Sequence, residues 1–260
     1  MTATQFLGII PARYASSRLP GKPLLEIGGR PVLRHVWERA GEALPGTLLV
    51  ATDDERILRA VEAFGGEAVM TSPDHPSGTD RVLDAYRKSG RKADVIINIQ
   101  GDEPFVSPDQ IRSLMRAFDD PETDIATTVI PLTPDNAAPE ELRNPNNVKA
   151  VLARDGRVIY FSRSVVPFAR GVAETELLST GRYFKHLGMY AYRAGVLAEI
   201  TALPPSPLEE TEKLEQLRWL EAGYRIRAVL SHDKTIGIDT PEDLEEARRF
   251  FAESSHGPEN

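Results

Sequence analysis

The 260-residue chain contains no cysteine. Thiol nucleophiles, disulfides and thiolate metal sites are thereby excluded. No apolar run approaches the roughly 20 residues that a membrane helix needs. The opening MTATQF has neither a positive region nor a signal-like apolar stretch. A soluble, cytoplasmic protein with no membrane partner is the expectation. Positive charge is also in short supply: 31 Lys and Arg stand against 39 Asp and Glu, a net charge of −8, with a pI near 5.3. That balance argues against nucleic acid as a partner, since broad binding of it needs a positive field. What remains is a chain with 41% hydrophobic residues, enough for a substantial core in one domain with an elaboration.

Against this acidic background one stretch is an exception. Gln5 to Leu25 opens with the apolar run Phe6-Leu7-Gly8-Ile9-Ile10, read as a buried strand, and continues into a Pro/Gly-punctuated loop holding Arg13, Arg18 and Lys22 with no acid among them. The loop carries neither a P-loop nor a dinucleotide fingerprint. Three cations leaving a buried strand make a site for a multiply charged anion, placed where open α/β sheets bind ligands. The same loop also reads as a solvated basic surface, and its local sequence does not separate the two.

From there the pattern alternates. A helix Pro31 to Ala43, a strand Thr47 to Ala51, a helix Glu55 to Phe64 capped by Thr52 or Asp53, and a strand Ala68 to Thr71 predict a parallel sheet with right-handed crossovers. Ser77-Gly78-Thr79 opens a helix from Asp80 and is either an anion-friendly N-terminus or an ordinary cap. The strand Asp94 to Ile99 is the strongest central strand and runs into Gln100-Gly101-Asp102-Glu103-Pro104. An aspartate there suits a hard cation meeting phosphate oxygens; it also reads as a turn acid, but the polar Asn98 and Gln100 near a buried strand end, which need partners, favour the functional reading. Asp155-Gly156 predicts a hairpin, after which Ser162 to Tyr183 has no clean period and reads as a lid or dimer arm. His186 lies on a strand, Phe184 to Tyr192, where a lone histidine is more often structural than a ligand. A single helix is expected from Ser206 to Ala222, with Leu214, Leu217 and Leu220 as its stripe and Glu212, Glu215 and Gln216 solvated off it. Near the end, Thr240 and Asp243 account for a helix start, leaving Asp239 surplus at the end of an apolar strand, the position Asp102 holds on another.

Several motifs together resemble a known family. PARYASSRLPGKPL, SGTDR (Ser77 to Arg81), NIQGDEP, NPNNVK (Asn144 to Lys149), KHLGMYAYR, SPLEETEKLEQLR and GIDTPEDL are similar, in order and over nearly the whole chain, to the 3-deoxy-manno-octulosonate cytidylyltransferases, the CMP-Kdo synthetases. Sialic-acid-activating relatives are similar at the N-terminal loop and diverge after it. The resemblance implies a single nucleotidyltransferase domain over 1–260, with a Rossmann-like, mixed, mostly parallel sheet flanked by helices. About 144–205 would be a sugar-binding and dimerisation elaboration. It implies CTP and Kdo as substrates, Mg2+ as cofactor, a homodimer, and a place in lipopolysaccharide synthesis. By motif, Arg13, Arg18 and Lys22 would hold the triphosphate, and Ser77, Gly78 and Arg81 would help seat the nucleotide. Gln100 would lie between nucleotide and sugar, and Asp102 and Asp239 would ligate magnesium. Arg163, His186, Tyr190, Glu212, Glu215 and Gln216 would line the sugar pocket, Arg163 as a candidate for the carboxylate. Two other readings stay open: activation of a different sugar acid, and a non-catalytic nucleotide-binding module.

Overall fold

The computed structural model describes residues 3–16, 18–233 and 236–255. The chain divides into two compact units, one comprising Met1–Ile111 with Lys234–Asn260 and the other Arg112–Asp233.

The first unit is a parallel sheet. Strand β1 (Phe6–Ala12) is followed by a short antiparallel ribbon, β2 (Glu26–Ile27) and β3 (Arg30–Pro31), then helix α1 (Val32–Ala43), β4 (Leu48–Thr52), α2 (Glu55–Ala63), β5 (Ala68–Met70), α3 (Gly78–Ser89), β6 (Val95–Asn98) and the first residues of α4 (Pro108–Arg116), which continues past Ile111. β1 lies between β4 and β6, parallel to both, and β5 pairs with β4. Leu49 and Val50 of β4 and Ile96 and Ile97 of β6 are fully buried. Runs apolar on both faces, with no alternation, are what a parallel sheet covered by helices requires. Helix α2 is capped by Asp54, which accepts from the Arg56 amide, and not by Thr52 or Asp53. Asp53 is instead drawn away to Arg81.

The second unit starts at β7 (Ile125–Pro131). It continues with α5 (Pro139–Arg143), the hairpin β8 (Lys149–Leu152) and β9 (Val158–Ser162), β10 (Phe184–Arg193), α6 (Ala194–Ile200), α7 (Pro207–Glu212), α8 (Glu215–Glu221) and β11 (Ile226–Leu230). β11 runs parallel to β7, while β10 is antiparallel to β7 and to β8. The region 144–205 lies wholly in this unit. The expected helix from Ser206 to Ala222 is two helices. The capping box at Ser206 and Glu209 forms as expected, but Lys213 adopts a left-handed conformation at φ 54° and breaks the run. The kink turns Gln216 and Trp219 inward, at 6% and 1% exposure. Gln216 is therefore buried, not solvated, and the leucine stripe is not what faces the core alone.

The chain returns to the first unit with α9 (Pro241–Ser255). The amides of Asp239 and Thr240 both donate to the Asp243 carboxylate, and the Asp243 amide donates back to Thr240 Oγ1. The segment before it is not a strand. Ile236 to Asp239 runs as irregular chain, pinned by the Ile238 amide donating to Asp102 O at 2.9 Å, and Thr235 lies outside the described residues.

Candidate active site

In the first unit, the ends of β1 and β6 converge. A Cβ added at Gly101 would stand 2.6 Å from the Pro11 carbonyl oxygen, so only glycine lets the two backbones approach. Gly101→Ala is expected to cost about 1–3 kcal/mol, as overpacking does, and urea unfolding measures it. Gly21 plays a second part in the geometry. Its φ of 70° turns the basic loop back on itself, closed by its amide donating to Tyr14 O, and starts the short 3-10 turn Lys22–Leu24. That reversal aims Lys22 at the exit of β6.

The result is a knot of charge. Lys22 Nζ lies 2.6 Å from Asp102 Oδ2 and 3.1 Å from Asp239 Oδ1, and Arg18 Nη2 reaches Asp239 Oδ2 at 3.0 Å. Asp102 and Asp239, 137 positions apart in the chain, thus share one ammonium. Around them a cavity of about 450 Å³ is lined by Arg13, Arg18, Lys22, Gly78, Arg81 and Gln100, among others. Arg81, 1% exposed, donates to Asp53 Oδ2 and Thr71 Oγ1. Ser77 caps α3, its hydroxyl accepting from the amides of Thr79 and Asp80. Arg13, Arg18, Lys22, Gly78, Arg81, Gln100 and Asp102 thus line one cavity, while Ser77 caps the helix that carries Gly78 and Arg81.

The convergence point fits a divalent ion. Carboxylate oxygens from two segments already surround a cation there, and magnesium typically takes one or two carboxylates with phosphate oxygens and water. Among the described residues no group of three or more His, Asp or Glu side chains is gathered to hold a metal by itself. Such an ion would take two carboxylates from the protein, and its other positions would fall to further ligands.

The second unit holds the other expected residues in two groups. The Glu212 carboxylate accepts from Ser162 Oγ at 2.6 Å and from the Arg163 amide at 2.9 Å. The Arg163 guanidinium donates to the carbonyls of Pro145, Glu212 and Lys213, which uses three of its five N–H groups. Glu215, at the start of α8, pairs with Arg218 at 3.3 Å.

The second group is aromatic and depends on a bulge. In β10 Leu187 pairs with Thr128, and the next paired residue, Tyr190, faces Thr127, so Gly188 and Met189 are extra. In a regular strand residues four apart lie roughly 13 Å apart. Here the rings of His186 and Tyr190 are 5.2 Å apart. Thr127 Oγ1 lies 3.0 Å from Met189 O, a bond only its hydroxyl proton can make, and 2.9 Å from His186 Nε2. The imidazole is therefore assigned as donor through Nε2, leaving Nδ1 to accept. Burial lowers the His186 pKa from 6.5 to about 3, so the ring is neutral near pH 7 and is no proton donor of the imidazolium kind. The unfolded chain binds this proton more tightly, so stability is present above about pH 6.5 and is lost as pH falls toward about 3. Urea melts across that window are expected to show wild type losing up to about 1.4 kcal/mol per pH unit more than His186→Asn.

Two residues were not singled out from the sequence. Trp219 stacks edge-on against Tyr190 and Tyr192, with centroids at 5.1 and 5.6 Å. Lys149 is fully buried. Tryptophan in a short helix and lysine in a strand give no local signal of either placement.

Comparison with known proteins matches residues 7–226 to the family model described as cytidylyltransferase. The 3-deoxy-manno-octulosonate cytidylyltransferase of Parabacteroides distasonis is 53% identical over 95% of this chain and 98% of its own. That of Bacteroides thetaiotaomicron is 53% identical over 96% and 100%. Among solved structures, a CMP:2-keto-3-deoxy-manno-octonic acid synthetase complexed with CTP is similar at a TM-score of 0.86 and 42% identity, covering 96% of this chain and all of that one.

Proposed function

This chain belongs to the cytidylyltransferase family, and we propose that it activates 3-deoxy-D-manno-octulosonate with CTP, giving CMP-Kdo and diphosphate for lipopolysaccharide synthesis in the cytoplasm. The observation that carries the reading is the meeting of Asp102 and Asp239 on one ammonium inside a cavity lined by Arg13, Arg18 and Lys22. A pure binding module has no need of two surplus carboxylates within an anion site. The relatives, at about half identity over nearly the whole chain, supply the substrate names.

In this reading the first unit takes CTP. Arg13, Arg18 and Lys22 hold triphosphate oxygens, Arg by its planar fork and Lys as a point charge. Gly78 leaves room for close approach, since a Cβ there would meet nothing nearer than Pro11 Cγ at 4.0 Å. Arg81, tied to Asp53 and Thr71, fixes the wall beside it, and Gln100 lines the same cavity. Asp102 and Asp239 would hold magnesium, which when bound supplies charge neutralisation at the α-phosphate and acidifies a ligating hydroxyl. The second unit takes the sugar acid, with Arg163 for its carboxylate, and Glu212, Glu215, Gln216, Tyr190 and His186 Nδ1 for hydroxyls. Neutral His186 would position the sugar through Nδ1, and magnesium, if held by Asp102 and Asp239, would supply the acidification that a side-chain base would otherwise provide.

The test is diphosphate release from CTP, measured with and without Kdo and with and without Mg2+. Release that requires all three components supports the reading. Tight CTP binding with no turnover on any sugar acid sinks it.

The same reading includes a homodimer formed through the second unit. Phe168 is 88% exposed. It borders an apolar cavity of about 330 Å³ with Leu142, Val165, Pro167, Leu177 and Tyr183. A large ring left this bare beside an apolar hollow is the character of an association surface. Phe168→Asp is expected to lower the mass seen by light scattering from two chains to one.

No helix among the described residues is long and apolar enough to cross a membrane.

A further inference from the structure

Lys149 is a lysine with no exposed surface, and its environment is unusual in kind. Its three N–H donors meet three main-chain carbonyls: Asn144 O at 3.1 Å, Asn147 O at 2.6 Å and Arg163 O at 2.6 Å. An ammonium has three donors and no acceptor, so the group is fully satisfied without any carboxylate. Burial lowers its pKa; the nearby Glu212 carboxylate works against that fall and Arg163 works with it.

The β8–β9 register explains how it reaches. Lys149 pairs with Ser162, so its side chain extends to the next residue, Arg163. Arg163 in turn gathers the carbonyls of Pro145, Glu212 and Lys213. Two cations thus collect six carbonyls from the turn after α5, the end of β9 and the kink between α7 and α8. The Glu212 carboxylate is held against the same point by Ser162 Oγ and the Arg163 amide. On its other side, the residue before Lys149 accepts through Val148 O from the His186 amide at 2.8 Å. A neutral side chain at 149 would take the ammonium from Asn147 O and Arg163 O and leave Asn144 O only the Asn147 amide, so the turn 144–147 would lose its tie to the end of β9.

We propose that Lys149 is a positioning residue of the sugar-acid half: its ammonium fixes the backbone at Arg163, and through it the Arg163 and Glu212 side chains, in the arrangement that binds the sugar acid. The inference rests on the reading of the second unit as the half that takes Kdo. It predicts a selective defect. Lys149→Met raises the KM for Kdo by at least about tenfold while the KM for CTP stays within about twofold, the split expected when one substrate's binding groups lose their alignment.

The absence of cysteine allows a decisive control. Lys149→Cys, alkylated in denaturant with 2-bromoethylamine and refolded, restores a chain of lysine length ending in an ammonium. Alkylation with iodoacetamide places a neutral amide there. Wild-type protein taken through the same cycle sets the refolding yield. Recovery of the Kdo KM with the amine and not with the amide supports the proposal. An unchanged Kdo KM in Lys149→Met, or equal losses for both substrates, overturns it. Failure of both neutral forms to fold, judged by near-ultraviolet circular dichroism, also overturns it, because the ammonium then carries the fold and not the alignment. If wild-type protein itself ignores Kdo, the functional reading is what has failed.

Discussion

Asp102→Ala is expected to reduce turnover by at least about 10³-fold, on the order of 4 kcal/mol in the transition state, with the fold retained. Asp102 lies in the turn that follows the buried strand β6, and its side chain is 31% exposed, so its loss opens no core cavity. What is lost, in the proposed reading, is one of the two carboxylates that would hold the ion; the other, Asp239, stands on a distant segment. Asp239→Ala is expected to behave alike, since one carboxylate would not hold an ion in the same orientation. Steady-state diphosphate release at saturating Mg2+, with circular dichroism as the control for folding, measures both. A variant that keeps near-normal turnover would remove that aspartate from the ion site.

Lys22→Ala carries the second large effect, and it points in two directions. Losing one preorganised donor facing the triphosphate is expected to cost about 2–4 kcal/mol of transition-state stabilisation. Yet the Lys22 ammonium also stands between the Asp102 and Asp239 carboxylates. Without it, the two like charges are left to repel each other, and a divalent ion relieves them. Affinity for Mn2+ alone, followed by its paramagnetic resonance signal without nucleotide, is therefore expected to rise as turnover falls. Reduced stability with unchanged specific activity would instead make Lys22 a structural residue.

Much of this was legible before any coordinates. The alternation of short apolar runs with helical spacing predicts the parallel strands β1, β4, β5 and β6, because a run such as VIIN, apolar on both faces, has few other ways to bury itself. The basic loop stood out for holding no acid in an acidic chain, Asp239 for being left over once Thr240 and Asp243 account for the helix start, and Asp102 for its place after the central strand. Their meeting was not legible, since it depends on Gly21 reversing the loop and on the Ile238 amide binding Asp102 O, both tertiary events. Motif resemblance, and not residue chemistry, supplied the sugar-side residues. The helix break at Lys213 was missed because nothing in EETEKLEQL discourages a helix; the left-handed residue there is a lysine, where glycine would have signalled a stop. Lys149 escaped notice for a related reason. A lysine in a strand is ordinarily a surface residue, and only the folded chain brings three carbonyls to it.

The bulge in β10 has a bearing on how much sequence change this strand tolerates. Its excess is an even number of residues, so the portions on either side of it keep the same face toward His186 and Tyr190. Removing one residue between them would invert one portion, sending its inward side chains out and its outward ones in. Removing two would instead straighten the strand and leave the two rings on one face as next-but-one neighbours, roughly 7 Å apart along the strand. Length variation here is thus confined to steps of two, a restriction that no single position in the strand reveals.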